Sequence, residues 1–233
     1  MKIAGFQRTT LIDYPGRIAS VIFLDRCNFR CGFCHNKELV TDIDFSSFLE
    51  LDSVLELLER RKHLVDSVVI TGGEPCLNSG IIDLAEELKK RLFHVKLDTN
   101  GTFPKILEKL IGRNYVDFIA MDIKSAIKKN RYVEAAAVNV DIDKLSDSIN
   151  LIKNSGLDYE FRTTLVPGIV TENDLLLIGE YLKGSKKYVI QQFNKGDVID
   201  PSFNDFFLYT PEQIKKFARK LKPYFDEVEI RGL

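Results

Sequence analysis

The 233-residue sequence has almost no net charge and only four cysteines. A formal charge of −1 argues against a nonspecific nucleic-acid binder, since such proteins normally carry a basic excess. No apolar run approaches the roughly 18 residues of a membrane-spanning helix, and no long apolar stretch follows Lys2 as it would in a secretory leader. We therefore expect a cytoplasmic protein without a membrane or nucleic-acid partner, in which structural disulfides are rare.

The rest of the composition is that of an ordinary globular protein, with 45% hydrophobic and 29% charged residues. Apolar runs typical of buried parallel strands alternate with stretches of helical periodicity. The predicted strands are 18–24, 67–71, 94–99, 116–122, 159–166, 188–193 and 228–231. The predicted helices are 53–63, 80–92, 104–113, 142–154, 172–183 and 211–222, and the irregular segment 125–141 is predicted to be a surface loop.

Strand–helix alternation of this kind predicts βαβ units and a parallel sheet. About six repeats are too few for the eight of a full (β/α)8 barrel. We therefore predict an α/β fold, a partial (β/α)6 TIM-like barrel with an additional C-terminal strand, as a single domain over residues 1–233. The C-terminal ends of parallel strands share one face, where ligands bind, and the polar motifs described below follow those ends.

Three cysteines, Cys27, Cys31 and Cys34, lie on one short loop with the spacing C-x3-C-x2-C. A [4Fe–4S] cluster held only by cysteine needs four of them, so three thiolates leave one iron open for a small molecule. The alternative is a zinc site, which usually has four closed ligands. His35 is the available fourth ligand, but its adjacency to Cys34 makes closure awkward, and the ligand count favours the cluster.

The pattern C-x3-C-x-aromatic-C, in which Phe33 is the aromatic residue, resembles the signature of the radical S-adenosylmethionine (SAM) superfamily. The resemblance implies a [4Fe–4S] cluster on the three cysteines. It also implies that the amino and carboxylate groups of the SAM methionine chelate the open iron, and that Phe33 lies near the adenine.

The run Thr71-Gly72-Gly73-Glu74-Pro75 resembles the GGE motif of the same superfamily. Two glycines allow a backbone to approach a ligand closely, and Glu74 can accept a hydrogen bond from a ligand ammonium. The alternative is a tight strand-to-helix turn with a glutamate on the surface. Beside the cysteine loop, we favour SAM binding by Gly72, Gly73 and Glu74.

Two further runs, Asp98-Thr99-Asn100-Gly101 and Asp122-Ile123-Lys124, are similar to the D-T-N-G and D-x-K motifs of glycyl-radical-enzyme activases. Capped strand ends are the alternative explanation for each run. The resemblance implies that Asp98 and Asp122 share a monovalent cation near the SAM carboxylate. Asn100 is expected to bind SAM, and Lys124 to pair with its carboxylate.

Arg162, followed by Val166-Pro167-Gly168, resembles the R-x4-P-G strand in which the activase arginine faces SAM. The pyruvate formate-lyase activases also carry a histidine after the sixth strand, and residues 190–196 contain none. Gln192 is the expected substitute, which leaves the identity of the partner enzyme open. The fourth cysteine, Cys76, could be a ligand or a redox thiol, although a small buried residue is the favoured interpretation.

The resemblance implies a definite activity. Flavodoxin or ferredoxin would reduce the cluster, SAM would be cleaved to a 5′-deoxyadenosyl radical, and that radical would install a glycyl radical on a partner enzyme. The most similar branch is the activating protein of anaerobic ribonucleotide reductase. Two alternatives remain, a radical SAM enzyme that acts on a small molecule and a zinc-binding structural or adaptor protein.

Overall fold

A computed structural model describes residues 1–233. Its ten strands are β1 (Lys2–Ile3), β2 (Gly5–Thr10), β3 (Ala19–Leu24), β4 (Leu49–Glu50), β5 (Ser67–Gly72), β6 (His94–Thr99), β7 (Phe118–Asp122), β8 (Asp158–Leu165), β9 (Ser185–Gln192) and β10 (Phe225–Arg231). Its eight α-helices are α1 (Lys37–Val40), α2 (Leu51–Arg61), α3 (Ile81–Lys90), α4 (Pro104–Gly112), α5 (Lys129–Ala136), α6 (Ile142–Lys153), α7 (Glu172–Tyr181) and α8 (Pro211–Leu221).

Eight of the strands form one sheet in the order β10-β9-β8-β7-β6-β5-β3-β2. The seven strands from β3 to β10 in this sheet pair in parallel, and only β2 runs antiparallel, beside β3. The edge strands β2 and β10 do not pair with each other, so the barrel stays open. These features confirm the predicted partial barrel with an additional C-terminal strand.

All predicted strands and helices are present, with ends within three residues of the predicted ones. The predicted loop 125–141 is wrong, because it contains α5, whose Tyr132, Ala135 and Ala136 are buried. This helix has only two turns, too few to show a clear apolar period. Strand β2 was also not predicted, since it is an edge strand with exposed polar residues at 7–9.

Side chains alternate between the two faces of each strand. The outer face packs against the helices in the main apolar core, to which Ile70, Leu97 and Ile119 belong. The inner face has a smaller apolar cluster, in which Tyr14 from the β2–β3 loop packs on Phe118, with ring centroids 5.8 Å apart. Because Phe118 begins β7, this cluster fills the N-terminal end of the barrel and leaves the polar C-terminal end to form the site. No helix has both the length and the apolar character needed to cross a bilayer.

Candidate functional site

A cavity of about 270 Å³ lies at the C-terminal ends of the parallel strands. Its wall brings together most of the residues that the sequence predicts to be functional. These are Cys27, Cys31, Phe33, Cys34, Gly72, Gly73, Asp98, Asn100, Asp122, Lys124 and Arg162. Glu74 and Gln192 are the two predicted site residues that are absent from the wall.

The cysteine loop follows β3 and is held by backbone contacts on both sides. Within the loop, the Cys34 amide donates to the Cys31 carbonyl at 3.0 Å, and the Phe29 amide donates to Cys27 Sγ at 3.4 Å. The segment after β9 lies against the other side, where the Ile199 and Asp200 amides donate to carbonyls of the loop at 3.1 and 2.8 Å. These contacts fix the loop over the cavity.

Burial decides the protonation state of two cysteine thiols, those of Cys27 and Cys31. It raises the pKa of Cys27 to about 11, against the opposing hydrogen bond from the Phe29 amide. Burial also raises the pKa of Cys31 to about 12, although the nearby Lys124 charge opposes the shift. Both groups are therefore neutral thiols near pH 7 in the absence of a metal, and a metal centre must displace their protons when it binds.

The other possible ligands do not complete a closed metal site. His35 lines the cavity, and its Nε2 lies 2.8 Å from the Asn194 carbonyl oxygen, so this ring nitrogen is engaged with the backbone. Cys76 is only 3% exposed and is not part of the wall. No three His, Cys, Asp or Glu side chains are arranged to hold a single metal ion. A set of three thiols without a fourth side chain fits an iron–sulfur cluster better than a four-ligand zinc site.

Gly72 and Gly73 are required by the packing of the protein backbone as well as by the cavity. A Cβ atom on Gly72, which has φ +127°, would lie 2.2 Å from the Leu24 carbonyl oxygen. A Cβ on Gly73 would lie 2.0 Å from the Arg26 carbonyl oxygen. Both glycines thus let the end of β5 lie directly against the start of the cysteine loop, a contact that the sequence motif alone does not reveal.

Glu74 is buried behind the cavity wall. One carboxylate oxygen accepts from the Cys76 amide at 3.0 Å and from the Thr99 hydroxyl at 2.8 Å, and the other accepts from the Asn100 amide at 2.6 Å. Burial raises the pKa of Glu74, and these three donors oppose the shift. The carboxylate braces the turn that presents Asn100 to the cavity, and its contact with a ligand ammonium stays a prediction.

Arg162 lies between the two predicted aspartates at the wall. Its Nε donates to Asp122 Oδ1 at 2.9 Å, and its Nη1 donates to Asp98 Oδ2 at 3.3 Å. Lys96 pairs with the other oxygen of Asp98, and Lys124 donates to Asp122 Oδ2 at 3.0 Å. The guanidinium of Arg162 thus occupies the position between Asp98 and Asp122 where the sequence motifs indicated a monovalent cation.

The charged side chains of this group keep one another ionised despite their burial. Burial alone would raise the pKa of Asp122, but the Arg162 and Lys124 charges outweigh it and hold that pKa well below its usual range. The Arg162 charge, followed by that of Lys96, likewise lowers the pKa of Asp98 against its burial. Asp122 raises the pKa of Lys124, also against burial. The wall therefore carries both fixed positive and fixed negative charge.

The structure also contradicts the position expected for Gln192. In the parallel pairing of β8 and β9, Gln191 is in register with Thr164, which lines the cavity, whereas Gln192 is in register with the core residue Leu165. Because neighbours in register point to the same face, Gln192 faces the helices and Gln191 faces the barrel interior. The Gln192 Oε1 atom is buried without a hydrogen-bond partner.

The sequence analysis missed several residues at or beside the site, among them Thr164 and Tyr132. Thr164 lines the cavity two positions after Arg162, and strand alternation was the signal that could have found it. Tyr132 of α5 is fully buried, and its hydroxyl accepts from the Lys124 amide at 3.2 Å. Its ring also packs edge-on against Phe29 of the cysteine loop. Nothing in the sequence indicated Tyr132, since its segment was predicted to be a loop.

Comparison with known proteins is consistent with this site. Residues 21–177 match the family model described as the Radical SAM superfamily. A Methanocaldococcus jannaschii protein, whose name gives it provisionally as a glycyl-radical enzyme activating enzyme, is 32% identical over 99% of this chain and 96% of its own length. The pyruvate formate-lyase 1-activating enzyme of Escherichia coli is 23% identical over 74% of this chain and 71% of its own length.

Among solved structures, that of Streptococcus suis SuiB bound to S-adenosylmethionine superposes with a TM-score of 0.69 over 91% of this chain. The sequence identity is 13%, so this similarity concerns the fold alone. The chain spans 52% of the SuiB chain.

Proposed function

Because the chain belongs to the radical SAM superfamily, we propose that it reductively cleaves S-adenosylmethionine and uses the resulting 5′-deoxyadenosyl radical to install a glycyl radical on a partner enzyme. The superfamily implies a [4Fe–4S] cluster and SAM. The observation that supports the proposal most directly is that three cysteine thiols and the charged ends of three parallel strands line one cavity.

Cys27, Cys31 and Cys34 would hold the cluster, which supplies an electron to the SAM sulfonium when both are bound. The chain's own residues bind and orient SAM around it. Phe33 lies in the cavity wall and also belongs to the main apolar core, so its ring offers the adenine an apolar surface. Gly72 and Gly73 contribute wall without side chains, so that the ligand can approach the backbone.

The charged residues of the wall would orient the methionine part of SAM. Lys124 and Arg162 carry positive charge for its carboxylate, and Asp98 and Asp122 carry negative charge for its ammonium. Asn100 adds an amide whose Nδ2 lies 4.0 Å from Cys27 Sγ, next to the proposed cluster. Since Arg162 bridges the two aspartates, we propose that it supplies the charge for which a monovalent cation was expected.

The proposed substrate is a glycine on another protein, and the proposed partner is an enzyme of the anaerobic ribonucleotide reductase type. The activase-like runs around Asp98, Asp122 and Arg162 support a glycine substrate, as do the names of the two relatives. The unpaired edges of β2 and β10 leave one side of the barrel open to a segment of a partner. Flavodoxin or ferredoxin is the proposed electron donor.

The test is anaerobic reconstitution with iron and sulfide, followed by dithionite and SAM. We expect a bound iron–sulfur cluster and free 5′-deoxyadenosine, and, when anaerobic ribonucleotide reductase is added, a glycyl radical detected by electron paramagnetic resonance. Nucleoside formation with no radical on the reductase would favour a small-molecule substrate. A protein that binds zinc and no sulfide would overturn the proposal.

Two cysteine variants provide a matched pair for this test. Cys31→Ala removes a proposed ligand and should abolish cluster binding and SAM cleavage. Cys76→Ala removes a buried thiol that is absent from the cavity wall, and should retain both. Equal iron content in the two variants would contradict the ligand assignment.

A further inference from the structure

Charged side chains form a continuous series across the inner face of the sheet, from the cavity wall to the edge strand β10. Arg162 Nη1, at the wall, lies 4.0 Å from Oε1 of Glu160. Glu160 precedes Arg162 by two positions on β8, so both side chains point into the barrel. Glu160 in turn accepts two hydrogen bonds of 2.7 Å from Arg231 of β10, one to each carboxylate oxygen.

Glu160 depends on these two arginines because it has no access to water. Its exposure is 0%, and Arg162 and Arg231 are its only ion-pair partners. A buried carboxylate that loses one ion-pair partner forms a closer ion pair with the cation that remains nearby. Without Arg231, that cation is Arg162, whose guanidinium already holds Asp98 and Asp122.

Glu229, the second carboxylate that contacts Arg231, depends less on this arginine than Glu160 does. Glu229 accepts from Arg231 Nε at 2.8 Å, but it also pairs with Lys187 at 2.6 Å. Glu229 is partly exposed as well, with a third of its side chain open to solvent. Loss of Arg231 therefore leaves Glu229 paired and hydrated, whereas Glu160 keeps only the more distant contact to Arg162.

We propose that Arg231 is a positioning residue for the SAM site: by satisfying Glu160, it leaves the guanidinium of Arg162 in place between Asp98 and Asp122. This inference rests on the proposed function, because it takes Arg162 to face bound SAM. Strand β10 contributes no side chain to the cavity wall. The edge strand nevertheless controls SAM affinity, through two ion pairs.

The test measures SAM affinity by equilibrium binding to the anaerobically reconstituted holoenzyme. Arg231→Gln should weaken SAM binding about tenfold, with unchanged iron and sulfide content. Arg231→Lys keeps a positive charge beside Glu160 but cannot make both hydrogen bonds, so it should lose less SAM affinity than Arg231→Gln without fully matching the wild type. The double variant Glu160→Gln with Arg231→Gln should also recover affinity, because a neutral amide no longer competes for Arg162.

Lys187→Gln is the matched control. It removes two other ion pairs between β9 and β10, at 2.9 Å to Glu227 and at 2.6 Å to Glu229, without touching Glu160. A merely structural role for the edge strand would lower the thermal unfolding midpoint in Lys187→Gln and Arg231→Gln alike, and would leave SAM affinity unchanged in both. The proposal instead requires that affinity change only in Arg231→Gln.

Wild-type affinity in Arg231→Gln would overturn the inference, as would a double variant that binds SAM no better than Arg231→Gln. If Arg231→Gln does not fold, Arg231→Lys decides the question, because the inference then requires a loss of SAM affinity in Arg231→Lys that an additional Glu160→Gln substitution reverses. A wild-type holoenzyme that binds no SAM would refute the proposed function itself. Failure of the proposed function is thereby distinguished from failure of the inference.

Discussion

Arg162 and Asp122 are directly opposite each other on neighbouring parallel strands, and Arg162 Nε donates to Asp122 Oδ1 at 2.9 Å. Both side chains point into the barrel at its polar end, where the Arg162 guanidinium also reaches Asp98. Their register is set by the pairing of β7 and β8, so the geometry of this ion pair is a property of the sheet. The following predictions depend on that arrangement.

Arg162→Lys should weaken SAM binding by about tenfold or more. Lysine keeps a positive charge, but it lacks the planar group whose separate nitrogen atoms contact Asp98 and Asp122. The measurement is equilibrium SAM binding to the reconstituted protein. Arg219→Lys, on the exposed face of α8, is the control and should bind SAM as the wild type does. Equal affinity in the two variants would show that charge alone suffices at position 162.

Gly72→Ala should lower the free energy of unfolding by more than about 2 kcal/mol, because an alanine at φ +127° is strained and its Cβ overlaps the Leu24 carbonyl oxygen. Gly112→Ala is the opposite case, since a Cβ added there, at the end of α4, would have no atom within 4 Å. It should be neutral or should stabilise the protein by up to about 1 kcal/mol. Urea unfolding of both variants tests the pair, and similar destabilisation would contradict the backbone contact.

Gln192→Leu should leave SAM affinity unchanged and raise the free energy of unfolding by about 1 kcal/mol, because it removes a buried amide oxygen that has no partner. Thr164→Ala provides the contrast. It removes a hydroxyl from the cavity wall and should weaken SAM binding severalfold. A loss of SAM affinity in Gln192→Leu would restore the role that the sequence motif had suggested for this residue.

The charge network at the wall predicts the direction of the acid response. The pKa of Asp122 is lower in the folded protein than the unfolded value of about 3.8. Its contribution to stability is therefore fully present above that unfolded value and is lost as the pH falls through the folded-state pKa. In the metal-free protein, Asp122→Asn should be less stable than the wild type at about pH 6. Its stability should then fall less steeply than that of the wild type between about pH 6 and about pH 3. Parallel acid unfolding profiles in the two proteins would contradict this assignment.

The sequence predicted the parts of the site that are local in the chain. Cys27, Cys31 and Cys34 share one loop, so their spacing alone indicated a common ligand, and the resemblance to the radical SAM superfamily is confirmed. The barrel was predictable because buried parallel strands and amphipathic helices each produce a recognisable pattern of apolar residues in the sequence. The ends of those strands then indicated on which face Asp98 and Asp122 would meet.

Contacts between distant segments could not be predicted. Glu160 and Arg231 are ordinary charged residues in sequence, and only strand register and burial reveal them as a pair. The faces of Gln191 and Gln192 depend on a register difference of one residue, which sequence periodicity does not determine. The sequence also does not show that the backbone amides of Cys76 and Asn100 donate hydrogen bonds to the Glu74 carboxylate.

The measurement that tests the account most directly is electron–nuclear double resonance on the reduced, reconstituted protein with SAM labelled with ¹⁵N at its amino group. The three proposed cysteine ligands, without a fourth side chain, would leave one iron available to SAM, so we predict a hyperfine coupling between the cluster and that nitrogen. A SAM-saturated cluster without any such coupling would show that its fourth position is closed, and would contradict the account.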